Sequence, residues 1–155
     1  MSDELSLKVK NAIQESLDLK KLVLHQKLYK ILVEMGKLIV QSILNGGKVL
    51  ICGNGGSAAD AQHLTAEFLI RLTSEVNREG IPAISLLQDS STFTAAINDF
   101  EPKDLFKRNL QTLAKPEDIL LVISTSGKSE NIVQVLKAAK EIDIKTLGFL
   151  GSDGG

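Results

Sequence analysis

Two stretches of the chain follow one plan, an aliphatic run, a turn of small residues and a helix-forming run: VLICGNGGSAAD and LLVISTSGKSEN, with Gly55 answering to Gly127 and Ser57 to Ser129. Runs of this length that are apolar throughout, rather than alternating, are strands covered on both faces. Further strands are expected over 82–87 and 145–150, and helices over 91–98, 104–113 and 132–142, so strand and helix alternate along the chain. The pattern predicts an α/β fold, a three-layer sandwich with a parallel sheet and right-handed crossovers.

Before this region, residues 3–44 hold no proline and one glycine, Gly36. Their aliphatic residues recur at helical spacing (Val9, Ile13, Leu17, then Leu28, Ile31, Leu32, Met35, Ile39, Ile43), which predicts two helices closed by Asn45-Gly46-Gly47. They carry more aliphatic residues than one buried stripe needs, so they suit either a subunit interface or a wide intradomain face. His25 reads as a surface or interface residue. The chain is expected to be a single domain of residues 1–155, with N-terminal helices over 1–45 and an α/β core over 46–155.

Composition excludes several classes of function. A net charge of −1, one tyrosine and no tryptophan leave neither a basic footprint nor a stacking platform for nucleic acid. No apolar run approaches a membrane span, MSDELSLKVK lacks the apolar core of a signal peptide, and the single Cys52 has no internal partner. A cytoplasmic protein with an inert core thiol is expected.

The first turn, Gly53 to Ser57, sits between strand and helix, where glycines let a ligand approach the backbone and free helix-start amides attract an anion. Ser57 stands where an N-cap would be. The second turn offers the hydroxyls of Ser124, Thr125, Ser126 and Ser129, which suit a phosphate and equally suit turn and capping chemistry. Ligands of open α/β sheets bind outside the carboxyl ends of the strands, where both turns lie. A P-loop is excluded because Val122 occupies the position of its first glycine. Gly53 to Ala58 fits the dinucleotide fingerprint, but the acid it needs about twenty residues on, at the end of the next strand, is missing: Glu75 lies in the connection before that strand and Asp89 much farther along, which argues against an oxidoreductase.

Asp60, His63, Glu67 and Arg71 are spaced by three, four and four residues, one face of the helix after the first turn. Alone, such a stripe is an ordinary solvated face with a Glu67–Arg71 ion pair. Here it extends from the expected phosphate cradle, so His63 and Glu67 lie about 5 to 15 Å along the axis, the reach of a phosphorylated sugar. A carboxylate there can move a proton next to a carbonyl, and a His with a Glu four residues on can hold a divalent metal.

CGNGGSAADAQH followed by AEF and Arg71, then PAISL, AIND, ISTSGKS and a strand leading to GSDGG together resemble the sugar isomerase (SIS) domain family, and within it the bacterial phosphoheptose isomerases. The resemblance runs over almost the whole chain. It implies a flavodoxin-like fold and reversible conversion of sedoheptulose 7-phosphate to a heptose 7-phosphate, a step towards the heptose of lipopolysaccharide and related glycans. It also implies a homotetramer with shared active sites. On this resemblance Asn54, Gly55 and Gly56 contact substrate with Ser57 close by, as do Asn98 and Asp99, while Ser124, Thr125, Ser126 and Ser129 bind the phosphate. His63 becomes a zinc ligand, and Glu67 both a zinc ligand and the base that works through an enediol. The family pattern continues past GSDGG with a further strand and a long helix that bring a glutamine and a second histidine, so the remaining ligands are expected beyond residue 155. Phe68-Leu-Ile before Arg71 and Phe100-Glu-Pro after Asp99 depart from the pattern and bear on sugar specificity. A rival expectation is a SIS domain without catalysis, one that senses sugar phosphates or binds the replication initiator protein; retention of Glu67 favours the enzyme.

Overall fold

The computed structural model describes residues 2–87, 89–151 and 154–155. It comprises two compact units, Met1–Leu38 and Ile39–Gly155. The first holds α1 (Ser2–His25), with Asp3 and Glu4 in the first turn and His25 in the last, each placed favourably for the helix dipole. Lys27, at a φ of 59°, breaks the chain direction before α2 (Tyr29–Leu44). Val9, Ile13, Leu17, Leu28, Ile31 and Leu32 are exposed, as is His25, whereas Met35, Ile39 and Ile43 are half-buried. The end of α2 is capped as expected: Gly46 takes a φ of 83° and the Gly47 amide donates to Ser42 O at 2.9 Å.

The second unit is built on four parallel strands, β1 (Val49–Gly53), β2 (Ala83–Ser85), β3 (Ile119–Ser124) and β4 (Lys145–Leu150), in the order β2-β1-β3-β4. Between them run α3 (Gly56–Leu69), α4 (Ser90–Asp99), a 3-10 turn (Pro102–Asp104), α5 (Leu105–Leu113) and α6 (Glu130–Glu141). Asp89 starts α4 by accepting from the Thr92 amide at 2.7 Å, a bond that lowers the pKa of its carboxyl group.

Helices cover both faces of this sheet. Leu50, Cys52, Leu120 and Val122 cluster with Phe106 and Leu110 of α5 and with Ile132, Val135, Ala138 and Ala139 of α6. Successive strand residues point to opposite faces, so Val49, Ile51, Ile119 and Leu121 face the other way, and they are buried too. On that side α3 packs against β1, β2 and β3, its first turns presenting the small buried residues Ser57, Ala58 and Ala61. The expectation of uniformly apolar, buried strands fails at β4. It is a sheet edge, and only Leu147 of its residues is buried.

The starts of β1 and β3 are tied by a buried carboxylate. Asp118, 2% exposed, accepts from the Lys48 amide at 2.9 Å, the Lys115 amide at 2.8 Å and Lys48 Nζ at 2.5 Å. Removing one partner of such a pair leaves buried donors unsatisfied, so Asp118→Ala is expected to cost about 3 to 5 kcal/mol, read from the shift of the urea midpoint. Burial also pushes the Cys52 thiol up to about 12. At pH 8 almost no thiolate exists in the folded protein, so iodoacetamide should label Cys52 only after denaturation, as mass spectrometry would register.

Candidate functional site

The register Gly53↔Ile123 sets the ends of β1 and β3 side by side, and β2 and β4 lie on opposite outer sides of that pair. The turns after β1 and β3 therefore flank the point where the strand order reverses, the usual ligand crevice of such sheets. In the first turn, a Cβ on Gly53 would stand 2.5 Å from Ser57 O, so only glycine allows α3 to begin this close to the strand. Gly55, at a φ of 53°, is the N-cap residue of α3, and Ser57 lies inside the helix, 8% exposed. That corrects the expected capping role of Ser57: the left-handed glycine turns the chain two residues earlier. Asn54, Gly55 and Gly56 are exposed around the helix start.

The second turn is also shaped by a glycine, Gly127 at a φ of 66°, whose missing side chain leaves room for the backbone of Gly154 and Gly155. Ser152 and Asp153 of the GSDGG segment lie outside the described residues. Ser124 Oγ accepts from the Gly127 amide at 3.1 Å and Ser126 Oγ from the Lys128 amide at 3.2 Å. Both hydroxyls thus serve the turn as acceptors. Thr125 and Ser126 are exposed, Ser124 is buried, and the half-buried Ser129 is the N-cap residue of α6 without a capping bond from its side chain.

A residue to which the sequence assigned no role joins the two turns. Asn131, in the first turn of α6, exchanges two amide hydrogen bonds with Asn54, of 2.9 and 2.8 Å. The pair bridges 77 positions. Its only sequence signal is its place at the end of the STSGKSEN stretch.

On α3, His63 Nε2 lies 3.5 Å from Glu67 Oε1, with side chains 73% and 24% exposed respectively. The second carboxylate oxygen of Glu67 is buried and has no hydrogen-bond partner in the described structure. Arg71 is not part of the stripe. The helix ends at Leu69, so the spacing of four no longer stacks Arg71 above Glu67, whose carboxylate lies instead beside the His63 imidazole. Asn98 and Asp99 end α4, where Asn98 Nδ2 donates to Asp99 Oδ1 at 2.7 Å; their bond is to each other rather than to either turn.

An imidazole nitrogen, a nearby carboxylate oxygen and an orphaned buried oxygen fit a cation as two of its ligands. No third His, Cys, Asp or Glu converges there among the described residues. The same residues also fit proton transfer, because a half-buried carboxylate with an unused oxygen is available to a substrate hydrogen.

The parallel sheet with this strand order, the paired small-residue turns at its switch point and the His–Glu pair on α3 define a doubly wound α/β protein with a polar crevice at the strand ends. The SIS domain profile matches residues 14–151, and the chain belongs to that family. It is 49% identical over 125 residues to the phosphoheptose isomerase of Chlorobaculum parvum, covering 81% of this chain and 60% of the relative. It is 40% identical over 154 residues to that of a Roseiflexus species, covering 99% and 77%. The structure of phosphoheptose isomerase GmhA from Neisseria gonorrhoeae superposes with a TM-score of 0.82 at 39% identity, over 97% of this chain and 77% of the other. The chain thus spans about three fifths of the length of some curated relatives.

Asn131→Ala should lower stability by about 0.5 to 1 kcal/mol through loss of the bridge between the turns. Asn131→Asp should cost less, since its carboxylate still accepts from Asn54 Nδ2 while the bond to Asn54 Oδ1 is lost. Urea denaturation of the two variants checks both.

Proposed function

We propose that this protein interconverts sedoheptulose 7-phosphate and D-glycero-D-manno-heptose 7-phosphate by proton transfer, with Glu67 as the base. The observation that carries the reading is the half-buried Glu67 carboxylate, one oxygen unpartnered, on the helix that leaves the first turn. From Ser57, His63 is about 9 Å and Glu67 about 15 Å along the helix axis at 1.5 Å per residue, and their side chains lean back towards the start of the helix. The names of the relatives support the same chemistry.

In this mechanism the phosphate rests on the Ser124, Thr125, Ser126 and Ser129 hydroxyls and on the amides that open α6. Asn54, Gly55 and Gly56, with Ser57 behind them, hold the sugar at the start of α3, and Asn98 and Asp99 approach it from the end of α4. Glu67 takes the proton from carbon 1 of the ketose, electrons pass to the carbonyl oxygen to give an enediolate, and the same carboxyl group returns the proton to carbon 2. The hydroxyl proton of carbon 1 moves to the oxygen of carbon 2 as the new aldehyde forms. No redox cofactor enters the balance. His63 and Glu67 would hold zinc, which when bound supplies a positive charge to polarise the carbonyl, together with ligands from further family segments. The working assembly is a cytoplasmic homotetramer with shared sites, and the product feeds heptose-containing surface glycans.

Proton NMR of sedoheptulose 7-phosphate in D2O with the purified protein should show new aldose signals. Glu67→Gln should slow their appearance by about 10² to 10⁴-fold while inorganic phosphate still binds. Full activity in that variant would remove Glu67 as the base. Phosphosugar binding without conversion by the unsubstituted protein would favour a sensing or partner-binding SIS domain.

A further inference from the structure

The last four carbonyls of a helix have no donors within it, and a helix end frays unless something else meets them. Glu67 stands in the last turn of α3, two residues before its end. A side chain used to move a proton is thus mounted on the least constrained part of its helix.

The connection from α3 to β2 supplies the missing donors. Arg78 Nη2 donates to Glu67 O at 2.6 Å, and Nη1 donates to Phe68 O at 2.9 Å and to Glu79 O at 2.8 Å. The Ile81 amide adds a second bond to Phe68 O at 2.9 Å. Gly80 lets this backbone lie against the helix, since a Cβ there would stand 2.6 Å from Leu69 O. Arg78 is half-buried while its neighbours Asn77 and Glu79 are exposed. Its charge suits the negative end of the helix dipole, and its planar fork reaches successive carbonyls with an orientation that an ammonium group does not impose.

We propose that Arg78 is a positioning residue for the reaction: by clasping the Glu67 and Phe68 carbonyls it fixes the last turn of α3 and with it the direction of the Glu67 carboxylate. Three of its N–H donors are engaged with backbone carbonyls, so it acts on the reaction through Glu67. The inference rests on the reading of Glu67 as the base. It deepens that reading by naming what holds the base in place.

The test compares Arg78→Ala and Arg78→Lys with Glu67→Gln, measuring kcat and KM for sedoheptulose 7-phosphate and the binding of inorganic phosphate by calorimetry. Misplacing a catalytic group by an ångström costs about 10²-fold, so kcat of Arg78→Ala should fall by about that factor, with KM and phosphate affinity little changed. Arg78→Lys should recover part of the loss, because one ammonium can meet one of the two carbonyls. Wild-type kcat in Arg78→Ala beside an inactive Glu67→Gln would overturn the clasp while leaving the base in place. An active Glu67→Gln would instead overturn the reading of the base. Phosphate affinity that falls in step with kcat would show a general structural role and overturn the proposal. If Arg78→Ala fails to fold, Arg78→Lys decides: lowered kcat with intact phosphate binding supports the clasp, and unchanged kcat refutes it.

Discussion

Parallel pairing of β1 with β3 at the centre of the sheet is the constraint on which the remaining geometry depends, and it is fastened at both ends. At the start of the strands, Asp118 gathers the Lys48 amide, the Lys115 amide and the Lys48 ammonium group. Beyond their carboxyl ends, Asn54 and Asn131 exchange amide bonds. Because the strands run the same way, both must be followed by a turn at the same edge, and the crossovers return every helix start to that edge. A site made of two turns and two helix N-termini follows from strand direction alone.

Packing sets how close those parts come. The central strands are buried on both faces, which favours aliphatic residues throughout, while the helix that must approach β1 most closely begins with Ser57, Ala58 and Ala61. Gly53 at the strand end removes the side chain that would hold α3 away, and Gly55 at the cap supplies the positive φ at which the chain turns into the helix. The same helix carries polar chemistry at its far end. There a carboxylate oxygen of Glu67 is buried without a partner, a cost that a folded protein tolerates where a ligand or substrate later meets the group.

Membership of the SIS domain family goes with a fold in which this chain uses one motif twice, a strand, a small-residue turn and a helix. It does not explain how the ends of these elements are held. In this chain three different devices do so: a left-handed glycine starts α3, Asp89 starts α4, and an arginine from the following connection closes α3.

Much of the fold was legible in the sequence, because burial on both faces and helical periodicity are written in consecutive residues. The strands, the helices and the two turns could be read from such local patterns, and so could the placement of His63 and Glu67 on one face. The ends of elements could not. Arg71 continues the helical spacing in sequence but lies past Leu69, and Ser57 resembles an N-cap although Gly55 performs that function. Arg78 reads as one charge in a polar connection and Asn131 as a loop amide; their partners are known only once the chain has folded back upon itself. Local periodicity determined which segments become strands and helices, since it reflects the side chains' own exposure to water. The tertiary structure decided where each helix stops and which turns are joined, because those outcomes depend on hydrogen bonds between residues far apart in the chain.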